Sequence, residues 1–314
     1  MDNFNYSSVK LKLGSDCCGL QTDLLALRLL GVDVDHVWSC DSSEHIKRRV
    51  LRDNPPQNWY DDMVGRDHSN LPDIDLYVCG FPCPSWSVLG QRKGFGAKNG
   101  QVFYEVVETI RAKLPRFFVL ENVKGITQHK KGKSFTRMKD LLEELPYSIS
   151  YHTLNAMDYG LPQQRSRLYI IGVPKDCKFQ MLTPEIELPK LRHFLDLDKP
   201  ADPSALIPRR QEVVDFVVKQ KCIDLEEDYL ITTGSSVGTF TRCFKDKCPT
   251  VTTNCRYYYI TSQGRFLTLR ELMRLQGFPN DFPINPVKKE AYREVGNAMC
   301  VPVMFYVIAS LLSS

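Results

Sequence analysis

One cysteine lies in a turn that suits nucleophilic chemistry. Cys83 occupies the segment GFPCPSWS, residues 80–87, directly after the apolar run Ile74–Cys79. Prolines on both sides of Cys83 restrict the backbone, so the thiol would face a cleft. A cysteine is more often a small buried hydrophobe, but residues 88–96 follow with three glycines and two cations. A loop of that composition can move and contact phosphates, which favours a functional thiol.

Two further segments carry polar side chains beside apolar runs. In FVLENV, residues 118–123, Glu121 ends a very apolar strand, and burial there would raise its pKa as a proton donor requires. An acid that offsets a helix dipole is an equally good interpretation. In QQRSR, residues 163–167, Arg165 and Arg167 share one face of an extended chain. Two solvated cations at a strand start are the plainer interpretation of that pair.

Alternating apolar runs and helical patterns predict a parallel α/β sheet in the first half of the chain. Polar residues follow the early strands, where open parallel sheets bind ligands. A helix is predicted at Thr22–Leu30, and a late hairpin at Ser148–Leu154 and Leu168–Val173. The early strands are predicted at Val9–Leu13, Val34–Cys40, Ile74–Cys79 and Arg116–Leu120.

The character of the chain changes near Pro174. From there to about Gly264 it is rich in Pro, Thr and charges with weak periodicity, which predicts a small irregular domain. Helices are predicted again at Leu269–Gln276 and Ala298–Leu312. We therefore expect one domain at 1–174, completed by a C-terminal helix at 288–314, and a second domain at 175–287.

Composition limits the partners and the compartment. A net charge of +4 over 314 residues permits a nucleic-acid partner without diagnosing one. No apolar run reaches the length of a membrane span, and the start of the chain lacks the apolar core of a signal peptide. We expect a protein of the cytosol, nucleoid or nucleus. Eleven scattered cysteines without Cys-x-x-Cys spacing predict neither disulfides nor a metal site.

Five segments, in order, resemble the cytosine-5 DNA methyltransferase family. They are the Pro-Cys turn, the Glu-Asn-Val of 121–123, the Gln-x-Arg-x-Arg of 163–167, the segment 270–279 and the Gly-Asn-Ala of 296–298. The resemblance implies a doubly wound, mostly parallel, Rossmann-like α/β sheet and a target-recognition domain at 175–287. It also implies S-adenosylmethionine as cofactor, double-stranded DNA as partner and action as a monomer.

The resemblance gives the catalytic residues their tasks. Cys83 would add to carbon 6 of cytosine as a thiolate, which activates carbon 5 for methylation. Glu121 would protonate or hydrogen-bond ring nitrogen 3, and Arg165 would hold the carbonyl oxygen. Arg167 would position Glu121 or the loop. A stacked base is out of reach, so the cytosine must be flipped out of the duplex.

The expected cofactor turn departs from the family pattern. The family has Phe-x-Gly-x-Gly-Gly, whereas this chain has Gly14-Ser-Asp-Cys-Cys-Gly19, in which only Gly19 matches. Asp16 could face the cofactor ammonium, or it could simply stabilise the turn. The residues expected to line this part of the site are Ser15, Asp16, Cys17, Cys18, Gly19 and Leu20.

Further cofactor contacts are expected at later strand ends. Asp41 would bind ribose hydroxyls. Asp62 with Met63 matches the family's Asp-Ile pair, whose acid contacts the adenine amine, although the adjacent Asp61 could take that place. The remaining contacts are expected from Gly80, Pro82, Ala298 and Asn297, the last of these at the start of the final helix.

The loop after Cys83 is expected to meet DNA. Val88 and Leu89 would wedge into the gap left by the flipped base, or they would pack against the sheet. Arg92 and Lys93 would clamp phosphates. Ser85 and Ser87 complete the expected DNA contacts.

Two other functions stay open. A tRNA cytosine-5 methyltransferase resembles this sequence but carries Cys-Phe-Thr late in the chain, where the nearest match here is Cys243-Phe244-Lys245. A catalytically inactive regulatory DNA-binding protein would be expected to lose its nucleophile or acid, yet Cys83 and Glu121 are both present.

Overall fold

The computed structural model divides into two compact units. It describes residues 4, 6–82, 98–198, 208–232 and 242–314. Unit 1 comprises Met1–Asn155, Ser166–Pro184 and Val301–Ser314, and unit 2 comprises Ala156–Arg165 and Glu185–Cys300.

Strands and helices alternate through the first part of the chain. The strands are β1 (Lys10–Asp16), β2 (Asp33–Cys40), β3 (Asn58–Tyr60), β4 (Leu76–Cys79), β5 (Phe117–Val123), β6 (Tyr147–Asn155), β7 (Gln163–Gln164), β8 (Ser166–Pro174), β9 (Tyr229–Thr232), β10 (Arg242–Lys245), β11 (Cys248–Pro249), β12 (Tyr258–Ile260) and β13 (Arg265–Phe266). The helices are α1 (Thr22–Leu29), α2 (Glu44–Asp53), α3 (Lys98–Lys113), α4 (Lys133–Glu143), α5 (Pro208–Lys221), α6 (Leu269–Leu275), α7 (Lys288–Asn297) and α8 (Val301–Leu312).

Unit 1 is built on a seven-stranded sheet in the order β3-β2-β1-β4-β5-β8-β6. The first five of these strands pair in parallel, whereas β8 runs antiparallel to both β5 and β6. This confirms the mostly parallel α/β sheet and the late hairpin that the sequence predicts. The strand order reverses between β1 and β4, and open α/β sheets bind ligands outside the carboxyl ends of the strands at such a switch point.

Burial explains why the central strands are apolar. Every residue of β4 is buried, and so is β5 up to Asn122, as expected for parallel strands covered on both faces. Helix α8 packs against α1, and all its residues from Val301 to Leu311 are buried. The expected closing helix therefore begins at Val301, three residues later than Ala298.

Unit 2 is more regular than its weak periodicity suggests. It contains the 14-residue helix α5 and a four-stranded sheet in the order β10-β9-β12-β13. Its own apolar core includes Val214, Val217, Ile231 and Tyr259. The strands have only two to four residues each, too few for a clear alternation along the sequence.

The observed division differs from the expected domain bounds at three places. Residues Ala156–Arg165, expected in the first domain, belong to unit 2. Residues 175–184 stay with unit 1, where the Leu182 amide donates to Ser310 of α8 at 2.9 Å. Helix α7 belongs to unit 2, where it packs on α6 and on the short helix Cys255–Tyr257.

One stretch of the described residues has the length and apolarity of a membrane span. It is Lys288–Leu312, which comprises α7 and α8, and 83% of its most apolar window is buried inside the protein. Core helices pass the same test, so the stretch supports no membrane assignment.

Candidate active site

An acid and an arginine meet at the carboxyl end of β5. Glu121 has only 11% of its side chain exposed, and its Oε1 lies 3.2 Å from the Nε of Arg167 on β8. The antiparallel register places Val123 opposite Arg167 and Glu121 opposite Tyr169. The sheet therefore fixes this ion pair, and the resemblance gives Arg167 the task of positioning Glu121.

The neighbouring strand end leads toward Cys83. The Nδ2 of Asn122 donates to the carbonyl of Phe81 at 3.1 Å, which ties β5 to the chain just after β4. Phe81 is buried, whereas Gly80 and Pro82 are half-buried. Cys83 itself lies outside the described residues, as do the expected DNA contacts Ser85, Ser87, Val88, Leu89, Arg92 and Lys93.

Arg165 has a different environment from Arg167. It belongs to unit 2 and is 3% exposed. Its guanidinium donates to the carbonyls of Val251 at 2.7 Å and Ala298 at 2.8 Å, with a longer contact of 3.4 Å to Gly296. These are backbone groups of unit 2, so Arg165 fixes the path of that unit's chain. This environment does not favour the substrate contact that the resemblance gave to Arg165.

The turn after β1 has an open side. Gly19 has a φ of 47°, and an added Cβ there would meet no atom within 4 Å. Cys18 and Leu20 are buried, whereas Cys17 is half-buried. A hydrogen bond with Cys79, together with burial, raises the pKa of the Cys17 thiol. The turn thus offers its backbone at Gly19 to a ligand rather than a reactive thiol.

The interior side of the same turn is closed. Ser15 is 2% exposed and hydrogen-bonds the buried carboxyl of Asp23. Asp16 is fully buried and pairs with Arg66, whose two terminal nitrogens lie 3.0 and 2.8 Å from the two carboxylate oxygens. Of the two expected roles for Asp16, the pairing matches the stabilisation of the turn.

Asp41 connects the ends of β1 and β2. One carboxylate oxygen accepts the Gly19 amide at 3.2 Å and the other accepts the Ser43 amide at 2.9 Å. Burial raises the pKa of Asp41, and these amide hydrogen bonds offset only part of that rise. Its carboxylate is therefore oriented beside the open turn, where an acid can accept hydrogen bonds from ribose hydroxyls.

Two adjacent acids follow β3 with opposite surroundings. Asp61 pairs with Lys47 at 2.7 Å and accepts from the Trp59 indole at 2.7 Å. The hydrogen bond from Lys47 lowers the pKa of Asp61. Asp62 is exposed and accepts the Val64 amide at 3.0 Å. Asp62 is accordingly the acid presented to solvent, whereas the Met63 side chain is 3% exposed and lies in the core.

The Gly-Asn-Ala segment closes unit 2. Asn297 is exposed and is the last residue of α7, so its expected place at the start of the final helix is wrong. Helix α7 ends there because Ala298 takes an extended backbone with φ −60° and ψ 146°. The Ala298 carbonyl accepts from Arg165 and from Gln276.

Segment 270–279 is structural in its described contacts. Glu271 is fully buried and pairs with Arg265 at 2.7 Å. It also forms a capping box with Thr268, the N-cap residue of α6. Gln276 is also fully buried, and its Nε2 donates to the Val295 carbonyl at 2.7 Å. These residues hold unit 2 together.

Sequence reasoning missed Arg66. Its guanidinium lies 5.2 Å from the ring centres of both Trp38 and Tyr60, besides pairing with Asp16. The signal available in the sequence was Asp16, an acid at a position where the family has glycine, because a buried carboxylate requires a partner. Which of the many cations supplies that partner is visible only in the fold.

Comparisons with known proteins give the family of the chain. The sequence model of the C-5 cytosine-specific DNA methylase family matches residues 16–313. The chain is 31% identical over 257 residues to the type II methyltransferase M.NgoBI of Neisseria gonorrhoeae, covering 82% of this chain and 80% of that protein. It is 30% identical over 248 residues to M.HaeII of Haemophilus aegyptius, covering 78% and 76%.

Solved structures share the fold at lower identity. The S. pombe Dnmt2 methyltransferase superposes with a TM-score of 0.71 at 19% identity, over 96% of this chain and 98% of that one. The Entamoeba histolytica methyltransferase EhMeth gives a TM-score of 0.71 at 14% identity, over 97% and 98%. The family match spans nearly the whole chain. The alignments with M.NgoBI and M.HaeII each cover more than 75% of this chain and of the relative. The chain therefore belongs to the C-5 cytosine-specific DNA methylase family.

Proposed function

We propose that the protein transfers a methyl group from S-adenosylmethionine to carbon 5 of cytosine in double-stranded DNA. The observation that carries the proposal is the ion pair of Glu121 with Arg167 at the carboxyl end of β5. It lies on the strand next to β4, and β4 leads to the Pro-Cys turn of the family. The ion pair supplies an acid and a cation, and the sequence places Cys83 shortly after β4; these are the groups that attack at carbon 6 requires.

The residues at the cofactor end fit S-adenosylmethionine in part. The open backbone at Gly19 leaves room for a ligand, and Asp41 presents an oriented carboxylate for ribose hydroxyls. Asp62 presents a second, solvent-facing carboxylate suited to the adenine amine. The aromatic that the family places at position 14 is absent. When bound, the cofactor supplies an electrophilic methyl group on a sulfonium.

Each catalytic residue then has one task. The Cys83 thiolate forms a bond to carbon 6 of the flipped cytosine, and negative charge develops toward ring nitrogen 3. Glu121 donates a proton or hydrogen bond to nitrogen 3 and limits that charge. Carbon 5 takes the methyl group and loses its proton to a base. The electrons of that C–H bond restore the ring double bond and expel Cys83.

We assign the contact to the cytosine carbonyl oxygen to Arg167 rather than to Arg165. A guanidinium has five N–H groups, so Arg167 can hold Glu121 and still reach the substrate. Arg165 would first have to leave three backbone carbonyls of unit 2, which would leave buried acceptors unsatisfied.

Unit 2 corresponds to the proposed target-recognition domain. Its turn from Thr252 to Tyr257 exposes Thr253, Asn254 and Arg256, and the Arg256 guanidinium stacks 4.4 Å from the Tyr257 ring centre. Arginine is the side chain that most often reads guanine in the major groove. The proposed wedge and clamp residues of the loop after Cys83 lie outside the described residues. Their contacts with DNA stay expectations from the sequence.

The decisive experiment compares substrates with one cysteine variant and one control. Tritium from labelled S-adenosylmethionine should enter diverse, unmethylated duplex DNA and yield 5-methylcytosine, with no transfer to tRNA. Cys83→Ser should abolish transfer, whereas Cys222→Ser, at an exposed thiol of unit 2, should retain it. Duplex DNA containing 5-fluorocytosine should trap the wild type as an adduct stable to denaturation, because fluorine cannot leave as a proton does.

Contrary results would separate the alternatives. Label in tRNA alone would make the protein a tRNA methyltransferase. DNA binding without label in either nucleic acid would make it an inactive regulatory protein. Turnover by Cys83→Ser at the wild-type rate would overturn the covalent mechanism.

A further inference from the structure

A fully buried carboxylate stands where the family has a glycine. Asp16 is the last residue of β1, is 0% exposed, and immediately precedes the open turn at Cys17–Gly19. Removing a carboxylate from water is costly unless the charge is paired and hydrogen-bonded. The chain therefore requires a partner for Asp16 at the centre of its cofactor end.

Arg66 supplies that partner in a fork-to-fork geometry. Its two terminal nitrogens lie 3.0 and 2.8 Å from the two Asp16 oxygens, and the Tyr77 hydroxyl adds a third hydrogen bond at 2.8 Å. Burial acts to lower the pKa of Arg66, but the Asp16 charge raises it above the ordinary value. Both side chains are nearly excluded from water, at 7% and 0% exposure, so solvent screens the pair little.

Arg66 ends the short segment that carries Asp62. We call residues 61–66 the Asp62 loop. Within it, the Asp62 carboxylate accepts the Val64 amide at 3.0 Å and the Arg66 amide lies 3.4 Å from the Met63 carbonyl. The Gly65 amide donates to Glu105 of α3 at 3.3 Å. The Arg66 side chain thus joins a loop of few residues, through two parallel hydrogen bonds, to the end of β1.

The surrounding rings are adapted to this arrangement. The rings of Trp38 and Tyr60 pack edge to face, and the guanidinium of Arg66 lies against both, 5.2 Å from each ring centre. The Trp38 indole occupies the space that a side chain at position 14 would need, since a Cβ on Gly14 would lie 2.5 Å from Trp38 Cε2. The two departures from the family pattern therefore serve the same arrangement. Gly14 leaves room for the Trp38 indole, and Asp16 pairs with the guanidinium that lies against that indole.

We propose that Arg66 is a positioning residue of the cofactor site, which holds the Asp62 carboxylate in place by locking the Asp62 loop to Asp16. Its effect reaches the ligand through Asp62, the acid assigned to the adenine amine. The inference rests on the proposed function, because it requires a cofactor with an adenine.

The test measures discrimination between two ligands rather than affinity alone. S-adenosylhomocysteine carries the adenine amine, whereas its hypoxanthine analogue carries a carbonyl oxygen that an acid repels. Calorimetry should show that the wild type prefers the adenine ligand by about tenfold or more, as expected for a hydrogen bond to a charged group. Asp62→Ala should reduce this ratio to near one.

Arg66→Met should reduce the ratio as Asp62→Ala does, and the double variant should show no further loss. Arg66→Lys keeps the charge without the fork and should recover part of the ratio. Asp16→Asn retains the shape of the pair and should reduce the ratio even if Arg66→Met folds poorly. Lys113→Met is the matched control, since it removes a 2.8 Å ion pair with Asp73, which precedes the amino end of β4, whereas Asp16 lies at the carboxyl end of β1.

The outcomes separate the inference from the function. A wild type that binds neither ligand would overturn the proposed function. A wild-type ratio retained in Arg66→Lys and Asp16→Asn, with Asp62→Ala losing it, would overturn the role of Arg66 alone. A merely structural role of the pair would lower the melting temperature of these variants and leave the ratio unchanged.

Discussion

Two arginines separated by one residue have different tasks. Arg167 pairs with Glu121 in unit 1, whereas Arg165 holds backbone carbonyls in unit 2. Alternation along an extended chain would place both on one face, yet β7 ends at Gln164 and β8 begins at Ser166. Arg165 therefore falls between two strands that belong to different sheets, and the shared face is lost.

We predict that methionine substitutions separate these tasks. Arg167→Met should lower turnover on duplex DNA by about a hundredfold or more, as for loss of an oriented acid–base group, and leave urea denaturation nearly unchanged. Arg165→Met should lower the free energy of unfolding by about 3 kcal/mol, because hydrogen bonds from a charged donor are lost. Arg293→Met, at an exposed position of α7, is the control. A stable but inactive Arg165→Met would return the substrate contact to Arg165.

At position 14, restoring the family's aromatic residue should damage this protein. In Gly14→Phe the new Cβ would lie 2.5 and 2.6 Å from Trp38 atoms and 2.8 Å from Ile74. Overpacking of this kind costs about 1–3 kcal/mol or more, so the thermal midpoint should fall. Combining Gly14→Phe with Trp38→Ala should recover part of the loss relative to the sum of the single variants. An unchanged thermal midpoint in Gly14→Phe would show that the Trp38 side chain can adopt another position without cost.

Helix α7 and the turn at Thr252 are packed backbone to backbone. A Cβ on Gly296 would collide with Thr253 N and Thr252 C and lie 2.6 Å from the Thr252 oxygen. Backbone atoms cannot rotate away as a side chain can. The close approach also brings the Gly296 carbonyl within reach of Arg165, so one glycine fixes the base of the turn that exposes Arg256.

We predict that Gly296→Ala weakens DNA binding by displacing this turn. Affinity for duplex DNA should fall severalfold in fluorescence anisotropy, together with the melting temperature. Arg256→Ala should weaken DNA binding without lowering the melting temperature, since its side chain is exposed. Arg293→Ala on α7 serves as the control for a small change on the same helix. Normal DNA binding by both Gly296→Ala and Arg256→Ala would exclude the turn from recognition.

The elements that could be predicted are those whose signal is local. The strands and the polar residues at their ends follow from apolar runs, and Asp41 and Glu121 lie where those runs predicted. The Asp16–Arg66 pair joins residues that are 50 positions apart, and no pattern along the chain links them. The strands of unit 2 were missed because two to four residues are too short to show alternation.

The stability of the molecule as a whole should vary with pH through His36, a half-buried histidine of β2. Burial lowers the pKa of His36 from 6.5 to about 4, and its Nε2 lies 2.7 Å from the Ser39 hydroxyl. Between these pH values the unfolded chain binds a proton at His36 that the folded chain does not. Stability is therefore fully present above about pH 6.5 and falls as the pH drops toward 4.

We predict a loss of up to about 3 kcal/mol from this group between pH 7 and pH 4. His36→Gln should flatten that part of the curve when urea denaturation is compared at pH 7, 5.5 and 4. His193→Gln, at an exposed position of unit 2, should leave the curve as in the wild type. Equal slopes in the wild type and His36→Gln would mean that other groups dominate acid sensitivity.

The placement of α8 sets an order in time. The helix covers α1, near the start of unit 1, yet residues 301–314 are synthesised after the whole of 185–300. While translation continues, the apolar surface that α8 will cover stays in water, and such surface attracts chaperones and proteases. A chain interrupted before residue 301 carries every motif of the proposed active site and still lacks the helix that completes its core. Chains from interrupted synthesis should therefore be degraded, and only chains that include α8 should remain folded long enough to act on DNA.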